Sequence, residues 1–159
     1  MKLSTHLDLS EVIRSDSAKR NGISNMPTGE HIANFMLLAE KIFEPIREHF
    51  GVPIRISSGY RSKELNAITK GASKTSDHCF GFAIDIDNDG TSVSNNEIFY
   101  FIKDNLKYKQ LIFEFPVNGQ ASWVHVSYDA KNLKNEILVA KKLYGKTVYI
   151  PYKTDSDLT

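Results

Sequence analysis

Tyr108-Lys109-Gln110-Leu111-Ile112-Phe113-Glu114-Phe115 and Ala121-Ser122-Trp123-Val124-His125-Val126-Ser127-Tyr128, joined through Asn118-Gly119, are the stretches on which the fold turns. Both are rich in β-branched and aromatic residues and alternate in character, as half-buried strands do. Asn-Gly between two such runs is the strongest short-range hairpin signal, because a type I′ turn needs positive φ at both central residues. A two-residue turn there sets Val117 against Gln120, Phe115 against Ser122 and Glu114 against Trp123. Cross-strand partners share a face, as do residues two apart, so Glu114 falls on the same side as His125, diagonally beside it.

Outward from this hairpin, residues 52–57 and 81–87 read as further strands and 147–150 as a last one. Helical spacing dominates elsewhere. Ile32, Phe35, Met36, Ala39, Phe43, Ile46 and Phe50 recur at three- and four-residue steps after the N-cap candidate Thr28, and Pro45 should kink or restart that helix. Shorter helices are expected over residues 15–20, stopped by Asn21-Gly22, over 63–69, 95–105 and near 135–143. Hairpins mixed with helices, without regular βαβ alternation, predict an α+β domain: a mainly antiparallel sheet flanked by helices. One domain over residues 1–153 with a flexible tail at 154–159 is expected.

Composition narrows the class without naming it. Twenty basic against nineteen acidic residues give a net charge of +1, which argues against a nucleic-acid binder working through an overall basic field. No apolar run approaches the roughly 18–20 residues that span a bilayer, and residues 1–8 lack the apolar core of a secretory signal. Synthesis in the cytoplasm is therefore expected, and so is a monomer. The single cysteine, Cys79, cannot form an internal disulfide.

The chemistry concentrates in Ser76-Asp77-His78-Cys79-Phe80-Gly81-Phe82-Ala83-Ile84-Asp85. An aspartate inside so apolar a strand is costly to bury unless paired, hydrogen-bonded or bound to a metal. Zinc accepts imidazole nitrogen and carboxylate oxygen, and a catalytic zinc takes three protein ligands. His78, Asp85 and the strand residue His125 could supply them, although a hydrogen-bonded structural histidine fits the spacing as well. Glu114 near such a site could serve as general base, or be a salt-bridged glutamate on an open sheet face. Arg61 could hold a carboxylate or a developing oxyanion, or lie on the surface. His6, His31 and His49 read as surface residues.

Two competing readings overlap the site. Asp85-Ile86-Asp87-Asn88-Asp89-Gly90 matches the opening of a calcium loop, but position twelve is Asn96 where a bidentate glutamate is needed, and a strand enters where a helix should. Cys79 beside His78 suggests a Cys/His pair, but adjacent residues on an extended chain point to opposite faces.

Ser76-x-His78-x-x-Gly81-x-Ala83-x-Asp85 with Trp123-Val124-His125-Val126-Ser127 resembles the D-Ala-D-Ala carboxypeptidase-like zinc peptidases of family M15. The small branch common in bacterial and phage cell-wall enzymes is the nearest. Ile56-Ser57-Ser58-Gly59-Tyr60-Arg61-Ser62, Leu65-Asn66, Gln110-Leu111-Ile112-Phe113-Glu114 and Gly145-Lys146-Thr147-Val148-Tyr149 are similar too. The resemblance implies the compact α+β fold shared by D-Ala-D-Ala peptidases and hedgehog domains. It implies Zn2+ on His78, Asp85 and His125, Glu114 as base, and Arg61, Ser76 and Tyr60 as substrate contacts. The substrate implied is a peptidoglycan stem peptide or muropeptide, cut at D-Ala-D-Ala or L-Ala-D-Glu, at the cell wall or periplasm after release or export. A phage lysis enzyme and a muropeptide trimmer both suit it; a metal-containing binding module without hydrolysis is the alternative. Phe82 and Ile84, and Lys109 before the Gln-Leu-Ile run, depart from the branch's acidic pattern; the ligands are untouched.

Overall fold

The computed structural model describes residues 1–158. The 108–128 hairpin forms in the expected register, with β3 (Gln110–Glu114) antiparallel to β4 (Trp123–Ser127), after β1 (Ile56–Ser58) and β2 (Ala83–Ile86) earlier in the chain. Glu114 faces Trp123 and Ile112 faces His125, while Val117 bridges Gln120 across Asn118 and Gly119, whose φ values are 51° and 73°. Those two positive angles make the type I′ turn that the Asn-Gly pair favours.

A correction concerns residues 135–143, expected as helix. They form β5 (Glu136–Leu143), which pairs in parallel with β3 and antiparallel with β6 (Lys146–Pro151). The β3 edge would otherwise leave its backbone groups unpaired, and pairing it outweighs the helix propensity of the Lys141-Lys142-Leu143 end. Tyr144 and Gly145, with φ 49° and 75°, make the second two-residue turn. The six strands run in the order β1-β2-β4-β3-β5-β6, with β3–β5 the one parallel pairing in the sheet.

Strand alternation gives this sheet two different faces. Ile84 and Ile86 of β2, Leu111 and Phe113 of β3, Val124 and Val126 of β4 and Val139 of β5 are fully buried in the core. Ile98, Phe99 and Ile102 of the helix α6 (Asn95–Asn105) join them; the preceding helices α1 to α5 are Leu9–Ile13, Asp16–Arg20, Gly29–Leu38, Glu44–Phe50 and Lys63–Ile68. The opposite face carries Asp85, Glu114, Trp123 and His125. The long helix is α3, a π turn over Ala39–Phe43, and α4. The widened turn, in which the Glu44 N–H bonds back to the Ala39 carbonyl, restarts the helix just where Pro45 enters its first turn. Phe35, Ala39, Phe43 and Ile46 are buried as the spacing predicts, whereas Met36 is exposed.

The tail expected to be flexible folds back over residues 154–158. Asp155–Leu158 make a short 3-10 turn, Leu158 is buried, and the hydroxyls of Tyr100 and Tyr152 both donate to the Asp155 carboxylate. Thr159 lies outside the described residues.

Candidate metal centre

His78 sits on a 3-10 turn, Asp77–Phe80, where the sequence reading had an extended chain. Gly81 ends that turn with φ 75° and sends the backbone into β2. A Cβ there would lie 2.3 Å from the His31 carbonyl oxygen, so the approach of the α3 start to the turn depends on glycine. Gly59 is equally constrained, since a Cβ on it would lie 2.4 Å from the Val12 carbonyl oxygen. Its own carbonyl accepts the Nδ1–H of His78 at 2.6 Å, which leaves Nε2 as the lone-pair nitrogen. Gly59→Ala should therefore lower stability by about 2–3 kcal/mol in a denaturant titration and weaken metal binding as well, because the carbonyl that orients His78 must move.

Asp85 and His125 face each other across the β2–β4 pair, as direct partners in the ladder. His125 Nδ1 lies 2.8 Å from Asp85 Oδ1, His78 Nε2 lies 3.3 Å from the same oxygen, and the two ring nitrogens are 3.2 Å apart. Ligand atoms on a tetrahedral ion with bonds of about 2.0 Å stand roughly 3.3 Å from one another. Two imidazoles of the right donor type and one carboxylate thus meet at the spacing a divalent ion requires. Among the described residues these three form one group able to hold a metal ion.

The electrostatics of the group follow from its burial. Burial opposes ionisation of Asp85, yet the flanking His78 and His125 imidazoles hold its carboxyl far below the usual range. Burial lowers His78 and keeps it neutral, the form that ligates a metal. In His125 burial acts the same way but is outweighed by the hydrogen bond to Asp85 together with the negative charges of Asp85, Glu114 and Asp77, so its pKa is raised. Glu114, 6% exposed, is pushed by burial up to about 7, against the pull of His125.

These side chains line one open cleft of ≈ 920 Å³, near the upper end of ordinary ligand sites. His78, Asp85, His125, Glu114, Arg61 and Ser76 all contribute to it. Arg61 donates from Nη2 to Ser76 Oγ at 3.1 Å, and its buried Nε–H has no protein partner. Tyr60 does not belong to this group. Its ring is buried against Phe35 and His31 and its hydroxyl meets His31 Nδ1 at 3.2 Å, so it shapes the Arg61 turn from behind. His6 is engaged with Glu44 and His49 stacks on Phe101.

The calcium reading loses its ligands to other partners. Asp85 turns to the histidines, while Asp87 and Asp89 accept from the Asn95 amide, which also donates to the Ala121 and Ser122 carbonyls. Cys79 is buried, and burial raises its thiol, which makes it a poor nucleophile.

Several cleft residues escaped the sequence reading: Asp77, Lys109, Phe115, Trp123, Lys142 and Tyr149. Trp123 was within reach, because the predicted register already set it opposite Glu114. Lys109 forms an ion pair with Asp77 at 2.5 Å beside His78, which depends on how a distant turn docks. A search among curated proteins finds no match. The peptidase M15 family model matches residues 5–127, well over half the chain, and spans every residue of the metal group together with Arg61 and Glu114. That family consists of metallopeptidases, which implies a hydrolase, and the chain belongs to it.

Proposed function

We propose that the protein is a zinc metallopeptidase that hydrolyses peptide bonds in peptidoglycan stem peptides, at D-Ala-D-Ala or L-Ala-D-Glu, and so acts at the cell wall. The observation that carries this reading is the placement of a buried carboxyl, Glu114, diagonally beside His125 at the floor of the cleft that holds the His78–Asp85–His125 group. When bound, zinc supplies a Lewis acid that polarises the scissile carbonyl and lowers the pKa of water. Glu114 accepts the proton of the attacking water at a carboxylate oxygen and delivers it to the leaving amine nitrogen. Its raised pKa suits both halves of that transfer. Arg61, whose guanidinium Ser76 orients, brings its positive charge to the substrate oxygen on which negative charge grows.

Mass spectrometry of purified muropeptides incubated with the protein tests this directly. Cleavage that a chelator stops and zinc restores is the expected result, and the product masses name the bond. No cleavage of tri-, tetra- and pentapeptide stems by protein shown to carry zinc would turn the reading to a binding module of the same fold.

A further inference from the structure

The cleft has a wall that lies beyond the residues matched by the family model. Across the sheet, Trp123, Glu114, Ala140 and Tyr149 stand in one row, each paired with the next through β4, β3, β5 and β6. Paired residues share a face, so Tyr149 looks onto the cleft from the far side of Ala140, which is itself fully buried. Two residues along, Lys142 and Thr147 form the next pair on the same face. Tyr149, Lys142 and Thr147 all line the cleft.

Phe115 completes this wall through a strained backbone. Alternation would send its side chain away from Glu114, but its φ of 43° breaks the strand and brings the ring to within 5.2 Å of the Trp123 ring. Lys142 Nζ lies 5.4 Å above the centre of the Phe115 ring and donates to Thr147 Oγ1 at 2.7 Å. The other cations of the cleft differ. Lys109 is neutralised by Asp77 and Arg61 is bonded to Ser76. Lys70, on the loop that lines the opposite side, has neither a carboxylate nor any group that holds it in place among the described residues. Lys142 is thus a positioned ammonium with no carboxylate partner among the described residues, facing the space that a substrate would fill.

We propose that this hairpin wall is a subsite for a substrate carboxylate: Lys142 binds it, and Tyr149 backs the peptide between that carboxylate and Glu114. The inference rests on the peptidase reading and names the substrate feature its cleft selects. Lys142 is one strand over and two residues along from Glu114, a backbone offset of roughly 8 Å, which an extended peptide covers in about two residues. The carboxylate is therefore close to the scissile bond. In a stem peptide it is either the C-terminal group or the free α-carboxylate of the γ-linked glutamate.

Trp123 is the only tryptophan of the chain and stands on this wall, so its fluorescence reports binding. Zinc-loaded Glu114→Gln protein would be titrated with L-Ala-γ-D-Glu-L-Lys-D-Ala and with its two monoamides, one at the C terminus and one at the glutamate α-carboxyl. One monoamide should bind about fivefold more weakly than the parent, an effect of the size an exposed charge pair gives, and which one does identifies the source of the carboxylate. Adding Lys142→Met should abolish that discrimination, whereas Lys146→Met, on the other face of the hairpin, should preserve it. Tyr149→Ala should weaken all three peptides alike. The proposal fails if neither amide matters, if no peptide binds, if Tyr149→Ala changes nothing, or if discrimination survives Lys142→Met, and its disappearance in Lys70→Met would then assign the carboxylate to Lys70. Because binding is read without turnover, a preference for the carboxylate in a protein that cleaves nothing would keep the subsite and sink the peptidase. Cleavage without preference would do the reverse.

Discussion

Glu114→Gln should leave zinc bound and lower turnover of stem peptides by about 10²–10⁴-fold, the range that a positioned acid–base group supplies. The amide keeps the size of the carboxyl but cannot take a proton from water. Metal analysis of the purified variant separates loss of the base from loss of the ion. The same substitution has a pH signature in the metal-free protein. Glu114 holds its proton up to about 7 in the fold and releases it near 4.5 when unexposed to burial. Between those values the native state binds more protons than the unfolded state, so the wild type loses stability as pH rises. The glutamine variant lacks this slope. Its unfolding free energy relative to wild type should climb by about 3 kcal/mol between about pH 4 and pH 8. A flat difference across that range would mean that Glu114 is not desolvated as described.

Zinc should raise the melting temperature by about 10 °C at a thousandfold excess over its dissociation constant. That excess is worth about 4 kcal/mol, and a domain of this size gains roughly 2–4 °C per kcal/mol. Asp85→Ala should abolish most of the rise, because it removes a ligand and the carboxylate that sits between two imidazoles. Calorimetry on both proteins checks this, and chelation should return the wild type to its metal-free value. A wild type unmoved by zinc would deny the His78–Asp85–His125 group its metal.

Much of this site could be read from the chain because short-range rules governed it. Asn118-Gly119 set the register, and the register placed Glu114 beside His125 without any knowledge of the rest of the sheet. Period-two alternation likewise put Asp85 and His125 on equal footing in their strands. What escaped depended on partners far along the chain. Residues 136–143 became a strand because the β3 edge was free to receive them, and the turn that closes their hairpin is Tyr144-Gly145, a weaker signal than Asn-Gly. The cleft wall they build was hidden for the same reason. Tyr60 sat next to Arg61 in sequence, yet the packing of His31 and Phe35 draws its ring into the interior. Asp85, Asp87 and Asp89 looked like a calcium set until Asn95 from the next helix engaged two of them.

The strand order also governs when the metal group can exist during folding. Hairpin closure brings together β3 with β4 and β5 with β6, but β2 reaches β4 only after the chain closes a loop, since Asp85 and His125 are 40 residues apart. His78 and His125 are separated by 47. Loops of that length cost more to close than a hairpin, whereas His78 and Asp85 sit either side of the short Gly81 turn and come together locally. A local pair of ligands is therefore available before the group is complete, and the third, His125, arrives only when β4 pairs with β2. A cation that needs all three ligands holds the native state chiefly by slowing its unfolding.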